Sequence, residues 1–85
     1  STEERLSYEG LYTTDLGWMT IRSDDTDLVA DVDAMGQSFK LLPHGEGRFS
    51  IEGVPASDAQ VAIKEVNGRT ALNLYGFAVG GLGYG

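Results

Sequence analysis

The sequence predicts an all-β protein: a small antiparallel up-and-down meander barrel of seven to eight strands. Short segments of alternating polarity recur at roughly ten-residue spacing with turn residues between them, and no ten-residue helical pattern intervenes. An Asn67-Gly68 pair stands between two of these segments, and it is the strongest short-range hairpin signal because both central positions of the turn need positive φ. A meander of this kind removes its exposed edges by closing, and about eight strands leave an interior that side chains fill or that holds one small ligand.

In order, the polar start Ser1–Arg5 has room for a disordered stretch or a single turn. Leu6 to Tyr12 reads as the first strand, and Thr13-Thr14-Asp15 turns the chain into the second, Leu16 to Arg22. Period-two alternation puts Met19 and Ile21 inside and sends Trp18 and Thr20 to the opposite face. The Asp24-Asp25-Thr26 turn leads to Asp27–Asp33, where Leu28, Ala30 and Val32 form an apolar face and Asp27, Val29, Asp31 and Asp33 a face rich in carboxylates. Gly36 opens Gln37–Leu42 with Phe39 and Leu41 inward, and Pro43 closes it because proline cannot donate to the ladder.

His44-Gly45-Glu46-Gly47 connects to Arg48–Glu52, which turns Phe49 and Ile51 to one face. Gly53–Asp58 is a longer, proline-containing connection. Gln60–Val66 and Arg69–Tyr75 flank Asn67-Gly68, and Val61, Ile63, Leu72 and Leu74 share the inner face of that hairpin. The glycine-rich tail 76–85 carries Phe77, Val79, Leu82 and Tyr84, which suit a closing eighth strand or a strap over the barrel mouth.

Eighty-five residues make one domain, 1–85, with one modest core. The absence of cysteine excludes disulfides and thiolate metal sites, so stability must come from packing and the strand ladder. No apolar run approaches ~18 residues and no basic-then-apolar leader opens the sequence, which predicts neither a membrane span nor an export signal within it. Thirteen acidic against six basic residues give a net charge of −7, which repels phosphate backbones and anionic lipid and argues against nucleic acid or a membrane as partner. The acids of 24–33 read as a solvated face, and counting from Asp24 puts Val29 and Met35 where a calcium loop needs Gly and Glu.

Catalytic patterns are missing from the sequence. No serine has a lysine three residues on, and no Gly-x-Ser-x-Gly elbow occurs. The single histidine, His44, sits in a glycine-rich loop as a solvated turn residue, with no second imidazole to share a metal. Asp31 and Asp33, two apart in one strand, face solvent with ordinary pKa values and so do not divide acid and base roles. Gly80-Gly81-Leu82-Gly83 lacks the Lys-Ser/Thr ending of a phosphate loop. The domain is read as non-catalytic and without cofactor or metal. Trp18 is the residue with most binding potential, because an outward indole offers a partner surface.

The order Tyr8-x-Gly10-x-Tyr12, Gly17-x-Met19-Thr20-Ile21, Leu41-Leu42-Pro43-His44-Gly45 with Phe49 shortly after, and Asn67-Gly68-Arg69 resembles the C-terminal lipocalin-like domain of serine hydrolases of the β-lactamase and penicillin-binding-protein class. The resemblance runs from Leu6 to Tyr75 and rests on packing and turn positions. It implies a lipocalin-like, non-catalytic accessory barrel. Such a barrel packs in cis or in trans on a catalytic domain that carries the Ser-x-x-Lys nucleophile elsewhere. There it supports homo-oligomer assembly or limits access to the active-site cleft. Barrel rims present function through loops, so Asp24–Thr26, His44–Gly47 and Gly53–Asp58 are the expected contact segments, and Trp18, His44, Glu46, Pro55 and Asp58 the expected interaction residues. The alternative reading is a free-standing carrier of a small apolar ligand, which requires an open barrel interior.

Overall fold

The computed structural model describes residues 2–76. It is all-β: seven strands follow one another in sequence order as an antiparallel meander. They are β1 (Gly10–Thr14), β2 (Gly17–Asp24), β3 (Asp27–Val32), β4 (Gln37–Pro43), β5 (Arg48–Ile51), β6 (Gln60–Val66) and β7 (Arg69–Tyr75). A short helix, α1 (Thr2–Ser7), precedes them, and a 3-10 turn (Asp33–Met35) joins β3 to β4. By their internal contacts the residues divide into two compact units, the first ending at Leu41 and the second beginning at Leu42.

In the first unit the β1–β2 hairpin aligns Tyr12 with Met19 and Thr14 with Gly17. Asp15 and Leu16 make its turn. The Thr14 hydroxyl accepts from the Leu16 N–H at 3.0 Å and donates to the Gly17 carbonyl at 2.8 Å, while Gly17 takes φ +96. That positive φ after the turn restores the strand twist which a turn of ordinary hand would splay. Met19 lies opposite Val32 and Ile21 opposite Ala30. These four, with Tyr12, Leu28 and Leu41, are buried, as period-two alternation requires.

The start of the chain departs from the predicted first strand and from a disordered or single-turn Ser1–Arg5, because residues 2–7 are helical. Glu3 and Glu4 lie in the first turn and Arg5 in the last, each of the sign that the helix dipole favours. Strand β1 begins only at Gly10, where it meets Ile21. The next β2 donor, the Ser23 N–H, is satisfied by the Glu9 carboxylate at 2.7 Å instead of by backbone. Side-chain capture thus replaces the last rung of the ladder. Tyr12, 8% exposed, donates its hydroxyl to the Tyr8 carbonyl at 2.8 Å, and burial raises its pKa.

The third predicted strand is also shorter than expected. Asp33 leaves it for the 3-10 turn, which Gly36 ends at φ +61 by donating its N–H to the carbonyls of Val32 and Asp33. The left-handed residue at that position is what turns the chain back into β4.

In the second unit β5 pairs β6 with Phe49 opposite Val61, and β6 pairs β7 with Val61 opposite Leu74 and Ile63 opposite Leu72. The boundaries of β6 and β7 coincide with those predicted. Asn67 and Gly68 adopt φ +54 and +79 between Val66 and Arg69, the left-handed pair that the Asn-Gly signal requires. Phe49, Ile51, Ala59, Val61 and Ile63 are buried, and Leu72 and Leu74 are half-buried. Beyond Gly76, the tail predicted as a closing strand or strap lies outside the described residues.

Candidate functional site

Alternation in the first unit leaves an outer face whose composition follows from the register. One row across the strands is Leu11, Thr20, Asp31 and Ser38; the next toward the β2–β3 turn is Arg22, Val29 and Lys40. At the other end Thr13 lies opposite Trp18. Val29 is only 8% exposed although it faces outward, and its strand neighbours are Arg22 and Lys40, side chains whose methylene stems are long enough to shield an apolar neighbour.

Polar groups on this face are tied together. Arg22 grips Asp31 with both arms, Nε to Oδ2 at 2.7 Å and Nη2 to Oδ1 at 3.2 Å, and the Ser38 hydroxyl donates to the same Oδ1. Lys40 Nζ stands 3.4 Å from Asp27. The Arg22 and Ser38 hydrogen bonds hold the Asp31 carboxyl below the usual aspartate range. This corrects the expectation of two ordinary solvated carboxylates: Asp31 is engaged on three sides, and Asp33 does not share its strand. Glu9 is likewise held low by Ser23, whose N–H donates to its carboxylate.

Against this satisfied polar network, two large apolar side chains stand open. Trp18 is 52% exposed and Leu11 62%. Leu11 lies opposite Thr20, two residues along β2 from Trp18, which makes the pair diagonal neighbours within side-chain reach of each other. Trp18 is therefore placed outward as its alternation with buried Met19 predicts. Leu11 was not singled out by sequence reasoning, although the alternation Gly10-Leu11-Tyr12 contained the signal once Tyr12 was placed inside.

The other four predicted interaction residues, His44, Glu46, Pro55 and Asp58, lie in the second unit. His44 and Glu46 share the β4–β5 loop, which closes with the His44 N–H donating to the Arg48 carbonyl at 2.8 Å, and Glu46 sits at φ +55. Pro55 and Asp58 share a separate turn, in which the Asp58 N–H donates to the Pro55 carbonyl at 2.9 Å. Tyr75 is 42% exposed, because its pairing with Gln60 puts it on the outer face of β7.

A pairing that the sequence pattern did not disclose is His44 Nε2 with Ser50 Oγ, 2.8 Å apart. The distance suits a base and its nucleophile. However, Ser50 is 4% exposed, so its hydroxyl is closed to a substrate. The contact satisfies a buried hydroxyl that alternation places on the outer face of β5. His44 is exposed in its loop, as expected of a solvated turn residue, and is in addition a partner to Ser50. Among the described residues no group of three or more histidines and carboxylates converges to hold a metal ion, and no helix is long and apolar enough to cross a membrane.

Fold and site together define an all-β antiparallel meander with one satisfied polar face bearing an exposed indole. No protein-family model matches the chain, and neither a curated protein nor a solved structure is similar to it.

Proposed function

We propose that this chain is an accessory interaction domain of a serine hydrolase of the β-lactamase and penicillin-binding-protein class. It packs on the catalytic domain and modulates oligomer assembly or access to the active-site cleft. The observation that carries the interaction role is the exposed pair Trp18 and Leu11 on the outer face of β1–β2. An indole held on a sheet presents a large, rigid contact area at low entropic cost, and tryptophan is among the residues most enriched at binding hot spots. The link to this class of hydrolase rests on the packing and turn motifs from Tyr8 to Arg69.

The test is to characterise the natural gene product. An antibody against the domain should detect a protein much larger than 9.1 kDa, and its coding frame should hold an upstream domain with Ser-x-x-Lys. In that full-length enzyme, Trp18→Ser combined with Leu11→Ser should change turnover or oligomeric state without moving the thermal midpoint. A natural product near 9.1 kDa would end the hydrolase reading.

A further inference from the structure

Charge is divided unevenly between the two units. Up to Leu41, nine carboxylates stand against Arg5, Arg22 and Lys40; from Leu42 on, four stand against Arg48, Lys64 and Arg69. The first unit thus carries six of the seven excess negative charges. Its three cations are also committed internally. Arg5 Nη1 donates to the Thr26 carbonyl at 3.4 Å, Arg22 is held in two bonds by Asp31, and Lys40 lies 3.4 Å from Asp27. What remains is a net charge of −6 on the unit whose outer face carries Trp18 and Leu11. Met35, 49% exposed, adds apolar surface on the 3-10 turn that packs against β2.

We propose that the outer face of β1–β2, centred on Trp18 and Leu11, docks a cationic segment of a partner protein. An arginine or lysine of that segment lies over the Trp18 ring, and an adjoining apolar side chain rests on Leu11. This deepens the accessory-domain reading and rests on it. The indole is the aromatic ring that attracts a cation most strongly, through the negative potential of its face. The unit's net charge of −6 steers a basic partner toward the face and repels an acidic one. The same charge argues against a second copy of this chain as the occupant, since two faces from units of charge −6 would meet like to like.

Trp18 is the only tryptophan, so its fluorescence reports this face alone. The probes are two blocked nonapeptides of equal leucine content, one carrying four arginines and the other four glutamates. The arginine peptide should shift and quench Trp18 emission with an affinity at least about tenfold above that of the glutamate peptide. The difference should shrink in about 0.5 M sodium chloride, where screening shortens the reach of exposed charges. Amide chemical-shift mapping should place the changes at Leu11, Thr13, Trp18 and Thr20. Trp18→Ser, followed by calorimetry, should weaken the arginine peptide by about threefold to thirtyfold, while Tyr75→Ser, on the second unit, should leave it unchanged.

Equal response to the two peptides would overturn the proposal. So would shifts confined to the second unit, or concentration-dependent shifts at the same amides with no peptide present, which would make a second copy the occupant. The hydrolase reading fails separately, through the mass and coding frame of the natural product, and arginine-peptide binding would survive that failure.

Discussion

Asp31 shows how one exposed carboxylate is organised by its strand neighbours. Arg22 on β2 and Ser38 on β4 both reach it because the register sets Thr20 and Ser38 directly beside it and Arg22 one rung away. Its pKa is lowered from the ordinary 3.8, so the unfolded chain takes up the proton before the folded one does. The stability Asp31 contributes is therefore complete at neutral pH and is lost as pH falls below the ordinary aspartate value toward the folded one. Asp31→Asn removes that titration. Urea midpoints compared at pH 7 and pH 3 should fall less for the variant than for the wild type, and parallel falls would refute the role. Glu9, lowered from 4.5 by Ser23, adds to the same acid limb, and Glu9→Gln should flatten it further. Neither pairing was legible in the sequence, since a run of aspartates reads as a solvated face until the register says which cation lies opposite.

At the level of elements, local chemistry accounts for the hairpins and fails at the ends. The β6–β7 hairpin was legible residue for residue because Asn67-Gly68 confines the turn to two positions and alternation on both sides agrees with it. The first strand was misplaced because Leu6, Tyr8 and Tyr12 keep the single parity of a strand, and the choice lies with contacts distant in sequence: Glu9 with Ser23 and Arg5 with Thr26. At the end of β7, Gly76 takes φ +74, and a Cβ there would lie 2.6 Å from the Asp58 carbonyl oxygen. Gly53 takes φ +87 with open space around it. Gly53→Ala should then cost about 1 kcal/mol, the ordinary left-handed penalty, and Gly76→Ala clearly more, because backbone at 58 must also move. Urea denaturation of the two variants side by side checks the order, and equal costs would contradict the contact.

On the scale of the whole molecule, stability rests on few side chains. Ile21 in the first unit and Ile63 in the second are each 1% exposed. Truncating either to alanine should cost about 2–5 kcal/mol, a large share of the roughly 5–15 kcal/mol that a small domain has available. Thermal midpoints should fall by about 8–40 °C, at about 4–8 °C per kcal/mol for a chain of this size. A fall of only a few degrees would mean that the site relaxes to fill the space. Net charge acts at the same scale: with −7 on 85 residues, the molecule repels its own copies and favours basic partners.

The sequence by itself determined the fold class, the seven strands found among the described residues, the inner faces of six of them and the outward placement of Trp18, because alternation, glycine and proline positions act through neighbours along the chain. It also set the acidity of the first half, which follows from composition alone. Only the tertiary structure decided that the described residues open with a helix, that Arg22 and Ser38 hold Asp31, that His44 pairs with Ser50, and that Leu11 joins Trp18. Each of these depends on which residues the strand register and the turns bring face to face across a gap in sequence, and hydrophobic periodicity carries no information about that.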